Sequence, residues 1–322
     1  MNGVGRGPLR LESIHDLTKE ALLETIDVYL YGMTLLSHIY LLKGPYPEAD
    51  TYQEIQESFV VPGGETANAV ILLSHFGLKV KVDGSFLGVK TREEILDSFR
   101  HHGVDASLLK MDEHYDGVED FVLVGGKTRT VFGTFQRYFS DPIRRWSMPD
   151  RDSIRSARVV SLDPYFREAS LQTARWCVEE GKPTVVIDCP PDDFLHQHAA
   201  YSVLSAEYLK QTFPGLDRFE VLKCYTQSSE GWVVLTAGSR DVLYSRKGME
   251  PRTCRPYPVE VKGTLGAGDS FRAGVVYGLH QGWDADKTVR FAAATAAKVC
   301  MKFPVAADPP SLDEVLDRMK KA

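Results

Sequence analysis

From Ile26 onward, two rhythms of apolar and polar residues alternate along the chain. Short apolar runs of strand length are followed by stretches in which apolar residues recur every three to four positions, as on the buried face of a helix. Asp27–Met33 reads as a first strand. A polar, Pro-marked segment follows (Gly44 to Asp50). Tyr52–Val61 then alternates apolar and polar positions like a half-exposed strand. Ala67–Phe76 has helical spacing and stops at Gly77, a natural C-terminal cap. Lys79–Val82 is the next strand, and Arg92–His102 a helix stopped by Gly103. The texture changes over residues 117–139, where Phe121–Val124 and Thr128–Phe132 flank Gly125-Gly126 as a hairpin would.

After Pro142 the strand–helix rhythm resumes. Val159–Leu162, Thr184–Asp188, Tyr201–Leu204 and Trp232–Leu235 are strands; Glu168–Glu180, Phe271–Gln281, Arg290–Val299 and Leu312–Lys320 are helices. Strands that alternate with helices predict a mostly parallel sheet covered by helices on both faces. The β-segments at about 44–62 and 115–139 break the rhythm and predict a small separate sheet, placed as a lid over a site near Gly63-Gly64. Residues 1–25 read as an N-terminal extension in which Asp16 caps a short helix bearing Leu17, Ala21 and Leu22. Residues 26–322 form the main domain.

The 322 residues are 43% hydrophobic and 25% charged, enough apolar material for a large core without disulfides. A net charge of −6 argues against a nucleic-acid polymer as partner, because duplex binding needs a basic face. Tyr29 to Leu42, the most apolar stretch, is too short to span a bilayer and is interrupted by Ser37 and His38. The N-terminus lacks a signal-peptide pattern, so a cytoplasmic protein is expected. Five dispersed cysteines without a CxxC pair read as buried free thiols.

Candidate chemistry concentrates in two motifs. Gly263-Thr264-Leu265-Gly266-Ala267-Gly268-Asp269 follows a β-like stretch, Tyr257 to Val261, and opens an apolar helix. The free N–H groups of that helix's first turn would form an anion hole suited to a phosphoryl group. Asp269 lies at its mouth, where the dipole keeps a carboxylate ionised. A weak base suffices for phosphoryl transfer, since bond-breaking to the leaving group precedes most proton loss. A glycine-rich turn with Asp269 as a simple cap accounts for this motif equally well. Gly274 and Gly278 inside the helix cost roughly 1 kcal/mol each against Ala and predict close packing against the sheet. The second motif, Gly63-Gly64-Glu65-Thr66-Ala67-Asn68, leads two glycines into a helix. Its backbone and the Asn68 amide could hold sugar hydroxyls, or it is a plain strand-to-helix turn.

Together and in this order, the two motifs resemble the ribokinase, or PfkB-type, carbohydrate kinase family. The resemblance runs over roughly residues 26–318 and extends to Val82–Gly88 and to Thr236-Ala237-Gly238. It implies a doubly wound, mostly parallel α/β fold with a β-sheet lid, ATP and Mg²⁺ as cofactors, and a small sugar-like acceptor. By position it makes Asp269 the base and Gly266, Ala267 and Gly268 the anion hole. Gly63, Gly64, Asn68 and Ser37 would face the acceptor, and Thr236, Gly238 and Thr264 the nucleotide. Glu207 falls where the family organises Mg²⁺ through water. Pairing two copies through the lid would bury its exposed edges, as in part of the family.

Three positions depart from the family pattern. Gly263 stands where Asp is usual, Ser37 and His38 stand near the usual sugar-binding Asp, and Leu204 replaces an Asn three residues before Glu207. A non-catalytic sugar- or nucleotide-binding relative, or a nucleoside or vitamin-precursor kinase, are therefore alternatives. Among lesser features, Lys127, Arg129 and Arg137 put positive charge on the lid, which suits an anionic group of the substrate and equally suits ordinary solvated charges. Gly126-Lys127-Thr128 mimics the end of a P-loop, but Phe121 occupies the first glycine position. His196 and His198 share a strand-like spacing without a third metal ligand.

Overall fold

The computed structural model describes residues 25–126 and 128–321. The helix expected around Asp16 and the side chain of Lys127 therefore lie outside the described residues. The described residues form fourteen strands. β1 (Ile26–Gly32), β2 (Leu35–Leu42), β3 (Ile55–Gly63), β4 (Val80–Gly84), β5 (Leu87–Gly88), β6 (Met111–Asp112) and β7 (Glu119–Gly125) lie in the first part. β8 (Thr128–Gly133), β9 (Ala157–Leu162), β10 (Thr184–Ile187), β11 (Tyr201–Leu204), β12 (Trp232–Leu235), β13 (Val242–Ser245) and β14 (Arg252–Cys254) complete the set.

The main sheet has the order β14-β13-β12-β11-β10-β9-β1-β4. It is parallel except where β13 pairs antiparallel with β12 and β14. Strand β1 lies between β9 and β4, so the winding reverses there, and the crevice beyond the carboxyl ends of the strands opens at that point. Alternation along β1 splits the core in two. Val28 and Leu30 join the cluster that includes Ala67, Val70, Leu72, Phe271 and Val276. Tyr29 and Tyr31 join the cluster around Trp146, Phe166 and Cys177. The Tyr29 hydroxyl donates to Asp83 Oδ2 at 2.7 Å, so the large ring is buried without an orphaned polar atom.

A second sheet, of order β3-β2-β7-β8, stands apart from the first. Strand β2 is one of the elements that the apolar–polar pattern did not delimit, with β5, β6, β13 and β14. It is fully paired on both sides, by β3 antiparallel and β7 parallel, and so lacks the exposed alternation of an edge strand. The hairpin at Gly125-Gly126 is present, with Gly126 at φ +61° and Gly125 opposite Thr128.

Five further expectations are corrected. Tyr257–Val261 is not a strand; Pro256 and Pro258 remove ladder donors, and the last strand of the sheet is β14 instead. The helix after the rear motif, Ala267–His280, begins four residues earlier than its apolar run. Its Gly274 and Gly278 admit the helix Ala285–Met301 rather than the sheet: added Cβ atoms would lie 2.5 Å from Ala292 Cα and 2.6 Å from Thr288 Oγ1. His196 and His198 lie on a short helix, Phe194–His198. His196 is buried against Ser202 Oγ (2.7 Å) and the Tyr225 carbonyl (3.0 Å), and His198 stacks on Phe194. Of the five thiols, all free, Cys224 is exposed, while Cys177, Cys189 and Cys254 are buried.

Candidate active site

The front and rear motifs, two hundred residues apart, meet at the carboxyl end of β1. The front helix, Glu65–His75, starts at Gly64, whose φ of +89° suits glycine. A Cβ on Gly64 would sit 2.6 Å from the Met33 carbonyl, and one on Gly63 would strike Ser37 Oγ at 1.9 Å. The glycine pair is therefore required by the approach of β2 and of the turn after β1. The rear helix starts at Gly266, in the left-handed region at φ +76°. The Ala267 amide is engaged by the Thr264 carbonyl at 3.3 Å. Ser270 donates to the Gly266 carbonyl through its amide (2.9 Å) and its hydroxyl (2.6 Å). Among the described residues the Gly268 and Asp269 amides have no such partner, and a Cβ on Gly268 would meet nothing within 4 Å. The mouth of the helix thus presents unpaired donors to open space.

Asn68 joins the two motifs. Its Nδ2 donates to Asp269 Oδ2 at 2.8 Å, and it lies beside Gly266, where an added Cβ would be 3.4 Å from Nδ2. Burial pushes the Asp269 carboxyl up to about 6, and the Asp163 charge adds to this; the Asn68 hydrogen bond and the Arg272 and Arg129 charges oppose it. Asp269 is thus a stronger base than its helix-terminal position alone suggests, while still ionised at neutral pH. Neighbouring Glu65 is pushed up further, by burial and by the charges of Asp163 and Asp269. Asp269 has a donor where Glu65 has only its own amide, so Glu65 protonates first.

Beneath the site lies a fully buried ion pair that the sequence pattern did not single out. Arg272, on the rear helix, pairs through Nη1 with Asp163 Oδ1 at the end of β9, and its Nε donates to Ser161 Oγ at 2.8 Å. Asp163 Oδ2 accepts from the Met33 amide at 2.7 Å and from Thr66 Oγ1 at 2.9 Å. One carboxylate therefore ties the rear helix, the front helix and the end of β1 together. Such a pair sets geometry more than stability, because desolvation offsets much of its attraction. The available signal was an arginine inside an otherwise apolar helical run.

Thr236, Gly238 and Thr264 are the positions expected to border the nucleotide. Thr236 follows β12 and donates to the Leu204 carbonyl through its amide (2.9 Å) and hydroxyl (3.3 Å). Gly238 turns at φ +61° with open space around it. Thr264 shapes the turn into the rear helix through its carbonyl. Glu207 sits in the first turn of the short helix Ala206–Thr212, largely exposed, and reaches Arg129 of β8 at 3.7 Å. Among the described residues no cluster of His, Cys, Asp or Glu forms a ready metal cage. A divalent ion would fit here only as a phosphate-borne ion beside a lone carboxylate. Gly263 has a steric reason: a Cβ would come within 2.7 Å of the Phe303 ring, which fills the space of any side chain there.

This arrangement brings a helix mouth with unpaired donors and a glycine-lined turn together at the switch point of a doubly wound α/β fold. Residues 27–311 match the pfkB family carbohydrate kinases, and the chain belongs to that family. Ribokinase of Bacillus subtilis is 24% identical over 260 residues, covering 79% of this chain and 86% of the relative. A 5-dehydro-2-deoxygluconokinase of Clostridium perfringens is 22% identical over 286 residues, covering 80% and 84%. The fold is shared with the Arabidopsis thaliana ribokinase solved with ribose and ATP, at a TM-score of 0.75 and 18% identity, covering 92% of this chain and 99% of that one. The protein is a carbohydrate kinase with a ribokinase-type fold. Among the described residues no helix is long and apolar enough to cross a membrane.

Proposed function

We propose that this kinase transfers the γ-phosphoryl group of ATP to a hydroxyl of a sugar or sugar derivative, with Asp269 as the base. The acceptor oxygen attacks phosphorus, the bond to the ADP oxygen breaks, and the hydroxyl proton ends on the Asp269 carboxylate. The Gly268 and Asp269 amides, at the positive end of the rear helix, stabilise the charge on the transferring group; Gly266 and Ala267 hold the turn that aims them. Asn68 fixes Asp269 and, with Gly63 and Gly64, borders the acceptor. Thr236, Gly238 and Thr264 border the nucleotide. Mg²⁺ would supply charge neutralisation on the phosphates, with Glu207 as the carboxylate placed to organise it through water.

The observation that carries this reading is the 2.8 Å Asn68–Asp269 hydrogen bond, which joins the two motifs at the open helix mouth. The small sheet serves as the lid, and the Arg129–Glu207 pair between it and the main body is a contact that favours closure. Its outer face shows Val60, Phe121 and Phe132 exposed, an apolar surface suited to pairing with a second copy. A cytoplasmic location is part of this proposal and is compatible with ATP as donor. The test is Asp269→Asn: turnover falls by about 10²–10⁴-fold, while ATP still raises the melting temperature. Near-wild-type turnover in this variant would remove Asp269 from the role of base.

A further inference from the structure

The inner face of the small sheet carries a carboxylate that the proposed chemistry does not use. Residues directly opposite one another in a sheet share a face. Ser37 lies opposite Val61 and Asp120; Ile39 lies opposite Phe59 and Val122; Leu41 lies opposite Val124. Ile39, Val122 and Val124 pack against Leu265, of the loop into the rear helix, and against Phe303. Asp120 therefore lies on the same side as these residues, the side that faces Leu265 and Phe303, at the end where Ser37 Oγ abuts Gly63. It is only 6% exposed, and its Oδ1 has no hydrogen-bond partner among the described residues. The groups acting on it are the Ser37 hydroxyl and His38, whose ring is turned to the other face and hydrogen-bonded to Glu119 at 2.8 Å.

A buried carboxylate oxygen left unsatisfied is costly, and such a group calls for a partner from outside the chain. From this position we infer that Asp120 binds the acceptor, accepting hydrogen bonds from hydroxyls of a neutral sugar at the end remote from Asp269. An ionised carboxylate is an acceptor only, so it repels a carboxylate or phosphate at that end. Arg129 lies on the same face opposite Val124, four residues along β7 from Asp120, about 13 Å away. The face is therefore polar: its basic end lies beside Glu207 and its acidic end beside Gly63. This inference rests on the kinase reading and names the acceptor class for it.

The test compares wild type and Asp120→Asn with saturating ATP and three acceptors: D-ribose, D-fructose and the sugar acid 5-dehydro-2-deoxy-D-gluconate. Wild type is expected to favour a neutral sugar over the acid in kcat/KM. In the variant, KM for that sugar rises about tenfold or more while kcat changes by less than about threefold, as loss of a charge-assisted hydrogen bond requires. The ligand-free variant melts no lower than wild type, because a neutral amide is cheaper to bury than an unpaired charge. An unchanged KM, a wild-type preference for the acid, or a melting point lowered by about 5 °C or more, the mark of a purely structural role, would each overturn the assignment. Thermal shift with the same three compounds reads binding without turnover. A neutral-sugar shift that is lost in Asp120→Asn supports the inference, and a shift with the acid alone, or with none of the three, overturns it. Absence of turnover with that shift intact would count against the kinase reading only.

Discussion

Replacing Asn68 by leucine removes the donor and keeps the branched outline of the side chain, so the contact with Gly266 is retained. The lost interaction is a 2.8 Å hydrogen bond to a carboxylate, a type worth about 1.5–3 kcal/mol. Asp269 is half-buried, which favours the lower end of that range. At 1.36 kcal/mol per pKa unit, its carboxyl should rise by about one unit, from about 6 toward 7. The base works ionised, so activity falls as pH drops through this value, and a higher pKa carries the acid limb to higher pH. The assay is kcat/KM between pH 5 and 9 by coupled ADP detection, which reports the free enzyme's essential groups. The variant should lose about fivefold relative to wild type at pH 6 from ionisation alone, and almost nothing from that source at pH 8.5. A loss of equal size at every pH would mean that Asn68 touches only the acceptor, and would refute the coupling argued here.

Two further substitutions probe the frame around the site. Arg272→Met strands the Asp163 carboxylate in the core and should cost about 3–5 kcal/mol in urea unfolding; a cost under about 1 kcal/mol would show that the pair holds nothing in place. Gly263→Asp puts a Cβ 2.7 Å from the Phe303 ring and should destabilise by about 1–3 kcal/mol; a variant as stable as wild type would dismiss the steric account of that glycine.

The elements most legible in the sequence were those whose pattern is local. Tyr201–Leu204, Trp232–Leu235 and Leu312–Lys320 have the bounds that apolar runs and caps predict. The glycines at 64 and 266 signalled helix starts because only a residue without Cβ turns there at positive φ. Strand β2 was missed because pairing on both sides erased its alternation, and the Tyr257–Val261 run misled because apolar content there is overruled by proline. Asp120 was invisible for a related reason: on its own strand it is an acidic residue in a lid, and only the register opposite Ser37 sets it on the inner face.

By itself, then, the sequence determined the strand–helix alternation, the glycine turns and the identity of the two motifs, all properties of neighbouring residues. The tertiary structure alone decided which charges meet. Asn68 reaches Asp269, and Arg272 reaches Asp163, across more than a hundred residues of chain. The basicity of Asp269 and the isolation of Asp120 follow from burial and from charges brought in by other elements. Desolvation and Coulomb interaction depend on distance in space, and distance along the chain does not encode it.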